Sequence, residues 1–80
     1  TNELKEVIVY PNPVNDFISI KGLNNKDYSI KIFDSNSKLI SSKSFSEVLT
    51  IDTSNFSVWI YFYTIEDLNK NKQTGKFIKQ

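Results

Sequence analysis

The chain of 80 residues contains no cysteine, histidine or methionine. It also contains no arginine and no alanine, and only two glycines and two prolines. Each absence excludes something. Without cysteine no disulfide can support the fold, and without cysteine or histidine the usual zinc ligands are missing. Nucleophilic triads and thiol chemistry go with them. All ten basic residues are lysine, and the net charge is +1. Bidentate contacts to phosphates and bases need the arginine fork, and counterion release needs a basic surface, so nucleic acid is not an expected partner. No apolar run approaches the roughly 18 to 20 residues of a transmembrane helix, and nothing resembles a signal peptide. The lack of alanine argues against long helices, and no segment has a 3.6-residue apolar period.

What remains is a chain rich in β-branched and aromatic residues. Residues 58–65, Val-Trp-Ile-Tyr-Phe-Tyr-Thr-Ile, are the most apolar stretch. So short a run with no polar face is expected to be a central strand, buried on both sides. By alternation, Tyr61, Tyr63 and Ile65 should face the core, and Ile60 and Phe62 the more exposed side. Residues 1–6 are polar and are expected to be the end of a linker; residues 7–80 form one domain. A chain opening on Thr1 is expected to be a piece of something longer. A domain of this size buries only about 60% of its unfolded surface, so its stability should be modest.

Val7–Tyr10 reads as a first strand, stopped by Pro11-Asn12-Pro13, because proline cannot donate to a ladder and holds the preceding residue extended. Residues 17–20 alternate, with Ile18 and Ile20 on one face, and residues 22–27 form a loop. Tyr28–Phe33 alternates with Tyr28, Ile30 and Ile32 inward. Asp34-Ser35-Asn36-Ser37 is a hairpin turn and residues 38–45 the return strand. Residues 48–51 are a further strand, followed by an Asp52-Thr53-Ser54-Asn55 turn whose side chains can bond nearby backbone. After the central strand come a polar loop over residues 66–73 and a last strand near 74–79. Seven short strands with turn clusters between them are the pattern of an all-β antiparallel sandwich.

Candidate chemistry is sparse. Asp16, Asp27, Asp34, Glu47, Asp52, Glu66 and Asp67 all fall in turns or at strand ends, where aspartate serves the backbone, and not in the contrasting environments that paired catalytic carboxylates need. Asp34-Ser35-Asn36 resembles the start of a calcium loop but lacks the glycine and the closing glutamate, which leaves a hairpin turn. Trp59, Tyr61, Phe62 and Tyr63 could form a sugar-stacking platform, though on one strand of a small domain aromatics more commonly build the core. No cofactor is expected.

Three separated stretches carry a resemblance. Val9-Tyr10-Pro11-Asn12-Pro13-Val14 with Phe17-Ile18-Ser19-Ile20 resembles the opening of the type A C-terminal sorting domains of the type IX (Por) secretion system. Ile30-Lys31-Ile32-Phe33-Asp34 with Lys38-Leu39-Ile40 resembles their middle hairpin. Ile51-Asp52-Thr53-Ser54, Ile60-Tyr61-Phe62 and Lys76-Phe77-Ile78-Lys79 resemble their last third. Two glycines usual in the family are absent: Trp59 stands before the late Ile-Tyr, and Ser37 follows Asn36 where the family has Asn-Gly. Asn36 can take a left-handed conformation in its place.

The resemblance implies an immunoglobulin-like sandwich that acts as a non-enzymatic export signal in Bacteroidota. Such a domain directs a covalently linked N-terminal cargo from the periplasm across the outer membrane to the cell surface or medium. Its partners would be the translocon and a sortase, with cleavage or surface attachment to follow. Signature residues would be Tyr10, Pro11, Asn12 and Pro13, with Ile60, Tyr61 and Phe62 in the central strand. The terminal strand, Lys76, Phe77, Ile78, Lys79 and Gln80, is the expected point of translocon recognition. In it Phe77 and Ile78 should alternate in and out, Lys76 and Lys79 should expose their charges, and an open strand edge should offer backbone pairing. Replacing Lys79 and Gln80 by alanine is expected to cost little stability. The alternatives are a carbohydrate-binding module, which needs Trp59 and at least one tyrosine exposed in a line, and a fibronectin-like spacer of a secreted enzyme.

Overall fold

The computed structural model describes residues 6–24 and 26–80; residues 1–5, and with them most of the expected linker end, lie outside the described residues. Seven strands form two antiparallel sheets. They are β1 (Val7–Tyr10), β2 (Phe17–Gly22), β3 (Tyr28–Phe33), β4 (Leu39–Phe45), β5 (Val48–Asp52), β6 (Ile60–Asp67) and β7 (Lys72–Ile78). One sheet has the order β1-β2-β5 and the other β4-β3-β6-β7. No helix occurs among the described residues. This is the sandwich that the period-2 patterns require: each strand offers one apolar face, and two such sheets bury them against each other.

The core is built from alternate residues. Ile18 and Ile20 on β2 and Ile51 on β5 meet Tyr28, Ile30 and Ile32 on β3, Tyr61 and Ile65 on β6, and Phe77 on β7. Aromatic rings pair at both ends of the core: Tyr28 stacks on Phe45 at 5.3 Å, and at the other end Tyr61 stacks on Phe77 at 5.4 Å and packs tilted against Phe56 at 5.2 Å. The Tyr61 hydroxyl donates to the Ser57 carbonyl at 2.7 Å. A tyrosine at a strand start that bonds back to upstream backbone is the tyrosine corner of immunoglobulin-like sandwiches.

The expectation for residues 58–65 is corrected in two ways. The strand begins at Ile60 and runs to Asp67. Val58 and Trp59 precede it and are 69% and 63% exposed. β6 does pair on both edges, with β3 and β7. A two-layer sandwich nevertheless covers only one face of each sheet, so Phe62 is 42% exposed. The core side of the alternation holds for Tyr61 and Ile65, which are buried, and for Tyr63, which is half-buried. The loop expected at 66–73 contracts to residues 68–71, because Glu66 and Asp67 complete β6.

The hairpin loops β3–β4 and β6–β7 share one construction. Asp34 Oδ1 accepts the N–H groups of Asn36 and Lys38, both at 2.9 Å. Asp67 Oδ1 accepts those of Asn69 and Asn71, also at 2.9 Å. The fourth residue of each, Ser37 (φ 65°) and Lys70 (φ 68°), is left-handed. This is a three-residue hairpin loop, a turn closed by an αL residue. The left-handed residue is therefore Ser37 and not Asn36, because the loop places positive φ at its last position.

Candidate interaction site: the terminal strand and its clamp

β7 lies at the edge of the four-stranded sheet, and the expected alternation holds there. Phe77 is 1% exposed and Ile78 49%. The same period continues one residue further, so Lys79 turns inward and is only 6% exposed, and its Nζ donates to the Gln80 main-chain oxygen at 3.0 Å. The expectation that Lys79 displays its charge is thus corrected, and with it the small cost expected for its replacement by alanine. Following the Phe77/Ile78 alternation to position 79 would have found this. Lys76 is exposed, as expected, and so is Gln80.

The outward edge at the end of β7 is not open. The Ile78 N–H donates to Asn12 Oδ1 at 3.1 Å, and the Ile78 carbonyl accepts from the Val14 N–H at 2.7 Å. Gln80 N–H then bonds the Val14 carbonyl at 2.8 Å and Lys79 N–H the Trp59 carbonyl at 2.9 Å. Val14, fully buried, bridges Lys79 in parallel fashion. The Pro11-Asn12-Pro13 turn does end β1, and it also clasps the terminal strand. Residues 66 positions apart are thereby joined. Thr53 secures the segment that follows: it is completely buried, its Oγ1 donates to the Asn15 carbonyl at 3.0 Å and its N–H to that of Asp16 at 2.7 Å. The short-range bond expected in that turn is made by Asp52, whose Oδ1 accepts the Ser54 N–H at 2.8 Å; the Ser54 hydroxyl first, and then this N–H, hold the Asp52 carboxyl below its ordinary pKa.

The opposite end of the molecule is polar. Glu6, just ahead of β1, pairs with Lys26 at 2.7 Å and accepts the Tyr28 hydroxyl at 2.8 Å. Lys26 also reaches Asp67 at 3.4 Å. The lysine, then the tyrosine hydroxyl, holds the Glu6 carboxyl below its ordinary pKa. Asp67 is lowered chiefly by the Asn71 side-chain amide, then by backbone amides. Burial, reinforced by Glu6, pushes the Tyr28 phenol up to about 12. These shifts describe a satisfied structural cluster at the entry of the chain into the domain.

The sugar platform does not form along β6, since Tyr61 is buried and Tyr63 half-buried beside an exposed Trp59. Fold and clamp together define an immunoglobulin-like β-sandwich whose last strand is locked by its first turn. A crystal structure of a DUF3244 family protein with an immunoglobulin-like β-sandwich fold from Bacteroides vulgatus ATCC 8482 superposes with a TM-score of 0.81. It is 21% identical, over 94% of this chain and 84% of that one, a likeness of fold. No curated relative matches the sequence. Residues 8–80 match the family described as Secretion system C-terminal sorting domain, and the chain belongs to that family, the sorting tails of the type IX secretion system. Such a domain is a non-catalytic kind of protein, attached to a cargo and read by the secretion machinery for export across the outer membrane.

Proposed function

We propose that this chain is a non-enzymatic secretion signal that carries an N-terminal cargo through the periplasm and across the outer membrane. The translocon recognises it as a folded unit, and a sortase then releases the cargo or attaches it to the surface. One observation above all supports this reading: two of the segments that carry the family resemblance, Val9-Tyr10-Pro11-Asn12-Pro13-Val14 and Lys76-Phe77-Ile78-Lys79, are hydrogen-bonded into one structure. A signal made of both ends is complete only after folding.

The test is a fluorescent protein fused ahead of Thr1 and expressed in a Bacteroidota host with and without a functional type IX translocon. Fluorescence should reach the surface or medium in the first host alone. Equal arrival in both hosts, or in neither, contradicts the reading. Processing follows from the same structure. Glu6 is held by Lys26, Tyr28 and the Leu23 N–H, so the domain is closed to a protease cleft from that residue onward. Limited proteolysis and mass spectrometry of the fusion should place the cut N-terminal to Glu6. A principal cut within residues 7–80 contradicts this arrangement.

A further inference from the structure

The outer face of the four-stranded sheet is divided in two. In register, Leu39 lies opposite Phe33, Phe33 opposite Phe62, and Phe62 opposite Lys76, with Ile60 opposite Ile78 in the next row. Leu39, Phe62 and Ile78 are all exposed, and Phe33 and Ile60 half-buried. This apolar band continues into a depression lined by Val58, Trp59, Ile60, Ile78 and Lys79. The other half of the face is polar: Ser42, Lys31, Thr64 and Thr74 in one row, then Ser44, Ser29, Glu66 and Lys72.

Charge on this face is unbalanced beside the band. Its one carboxylate, Glu66, stands directly opposite Lys72 at the far end. Lys76 adjoins Phe62 with no carboxylate opposite or diagonal to it, and no ion pair reaches Lys76 or Lys31 among the described residues. Strand addition, the usual way to use an edge, is restricted here. Asn12 and Val14 occupy the outward N–H and C=O of Ile78, and by the two-residue period of the ladder only Lys76, Thr74 and Lys72 remain before the hairpin.

We infer that the translocon reads this outer face, through a protein segment that lays apolar side chains over Phe33, Phe62 and Ile78 and sets a carboxylate against Lys76. This rests on the sorting reading above and specifies the surface and the partner's chemistry. Apolar burial supplies the contact and the lysine its orientation, the division of labour usual at protein interfaces.

The test uses the same fluorescent fusion with four variants. Phe62→Thr keeps a β-branched residue in the strand and removes the ring. Lys76→Glu reverses the charge, and Lys76→Arg preserves it. Phe17→Thr removes an exposed ring from the other sheet. With folding checked by thermal unfolding, Phe62→Thr and Lys76→Glu should each lower surface arrival by about tenfold or more. Lys76→Arg and Phe17→Thr should stay near wild type. Folded Phe62→Thr and Lys76→Glu exported at wild-type levels overturn the inference and leave the sorting reading intact. If Phe62→Thr does not fold, Lys76→Glu decides alone. Should the unmutated fusion ignore the translocon, both readings fall together. Sedimentation of the isolated chain should show a monomer; a dimer abolished by Phe62→Thr assigns the face to a second copy and also overturns the inference.

Discussion

At the scale of single residues, strain sits where the family usually carries a glycine. Ser37 holds φ at 65°, a conformation that costs a residue with a Cβ about 1–2 kcal/mol. Glycine removes that cost and gives part of it back as unfolded-chain entropy. Ser37→Gly should therefore stabilise the domain by about 0.5–1 kcal/mol, read as a higher urea midpoint at unchanged slope. A lower midpoint would mean that the serine side chain contributes something the loop geometry does not show. Tyr61 works in the opposite direction, since its ring is core and its hydroxyl a single bond. Tyr61→Phe should cost about 1 kcal/mol and Tyr61→Ala about 3 kcal/mol or more. Equal costs for the two would place the weight on the Ser57 hydrogen bond and not on the stack with Phe77 and Phe56.

At the scale of elements, the strands were legible because each carries its own period. Ile18 and Ile20, Tyr28, Ile30 and Ile32, and Phe77 against Ile78 all fell where two-residue alternation puts them. Residues 58–59 misled because hydrophobicity alone does not say that a strand has started: Val58 and Trp59 are apolar but lie ahead of the first ladder pair, Ile60 with Ile78. The clamp was not legible at all. Nothing local in Asn12 or Val14 announces a partner 66 residues away; only the antiparallel order of the sheets brings β7 beside the turn after β1. Asn12→Ala removes the acceptor of the Ile78 N–H and should cost about 1 kcal/mol or less, while Asn12→Asp keeps an oxygen there. Amide hydrogen exchange at Ile78 should accelerate in the first variant and not in the second. Unchanged protection in Asn12→Ala would show that Val14 alone holds the strand.

At the scale of the whole molecule, the two ends have different physics: an apolar, clamped end at β7 and an ionic, hydrogen-bonded end at Glu6, Lys26, Tyr28 and Asp67. The ionic end contributes to the pH limits of the fold, beside Tyr61 and Tyr63, whose phenols burial also pushes up. Glu6 and Asp67 have lowered pKa values, so the stability they supply is fully present above the ordinary carboxylate range and is lost as pH falls through their folded values. Tyr28, raised to about 12, behaves in reverse: its contribution is complete below the ordinary phenol value of about 10 and disappears as pH climbs toward 12. Lys26, raised chiefly by Glu6, has the same sign: its contribution is lost as pH rises above the ordinary lysine value. Denaturant midpoints should therefore be flat between about pH 5 and pH 10 and fall on both sides. Asp67→Asn should blunt chiefly the acid fall, whereas Tyr28→Phe should blunt chiefly the alkaline one, with a smaller effect on the acid side because its hydroxyl also lowers Glu6. Profiles of both variants that merely run parallel to the wild type would show that the pH limits are set elsewhere, and that the entry cluster serves packing and not charge.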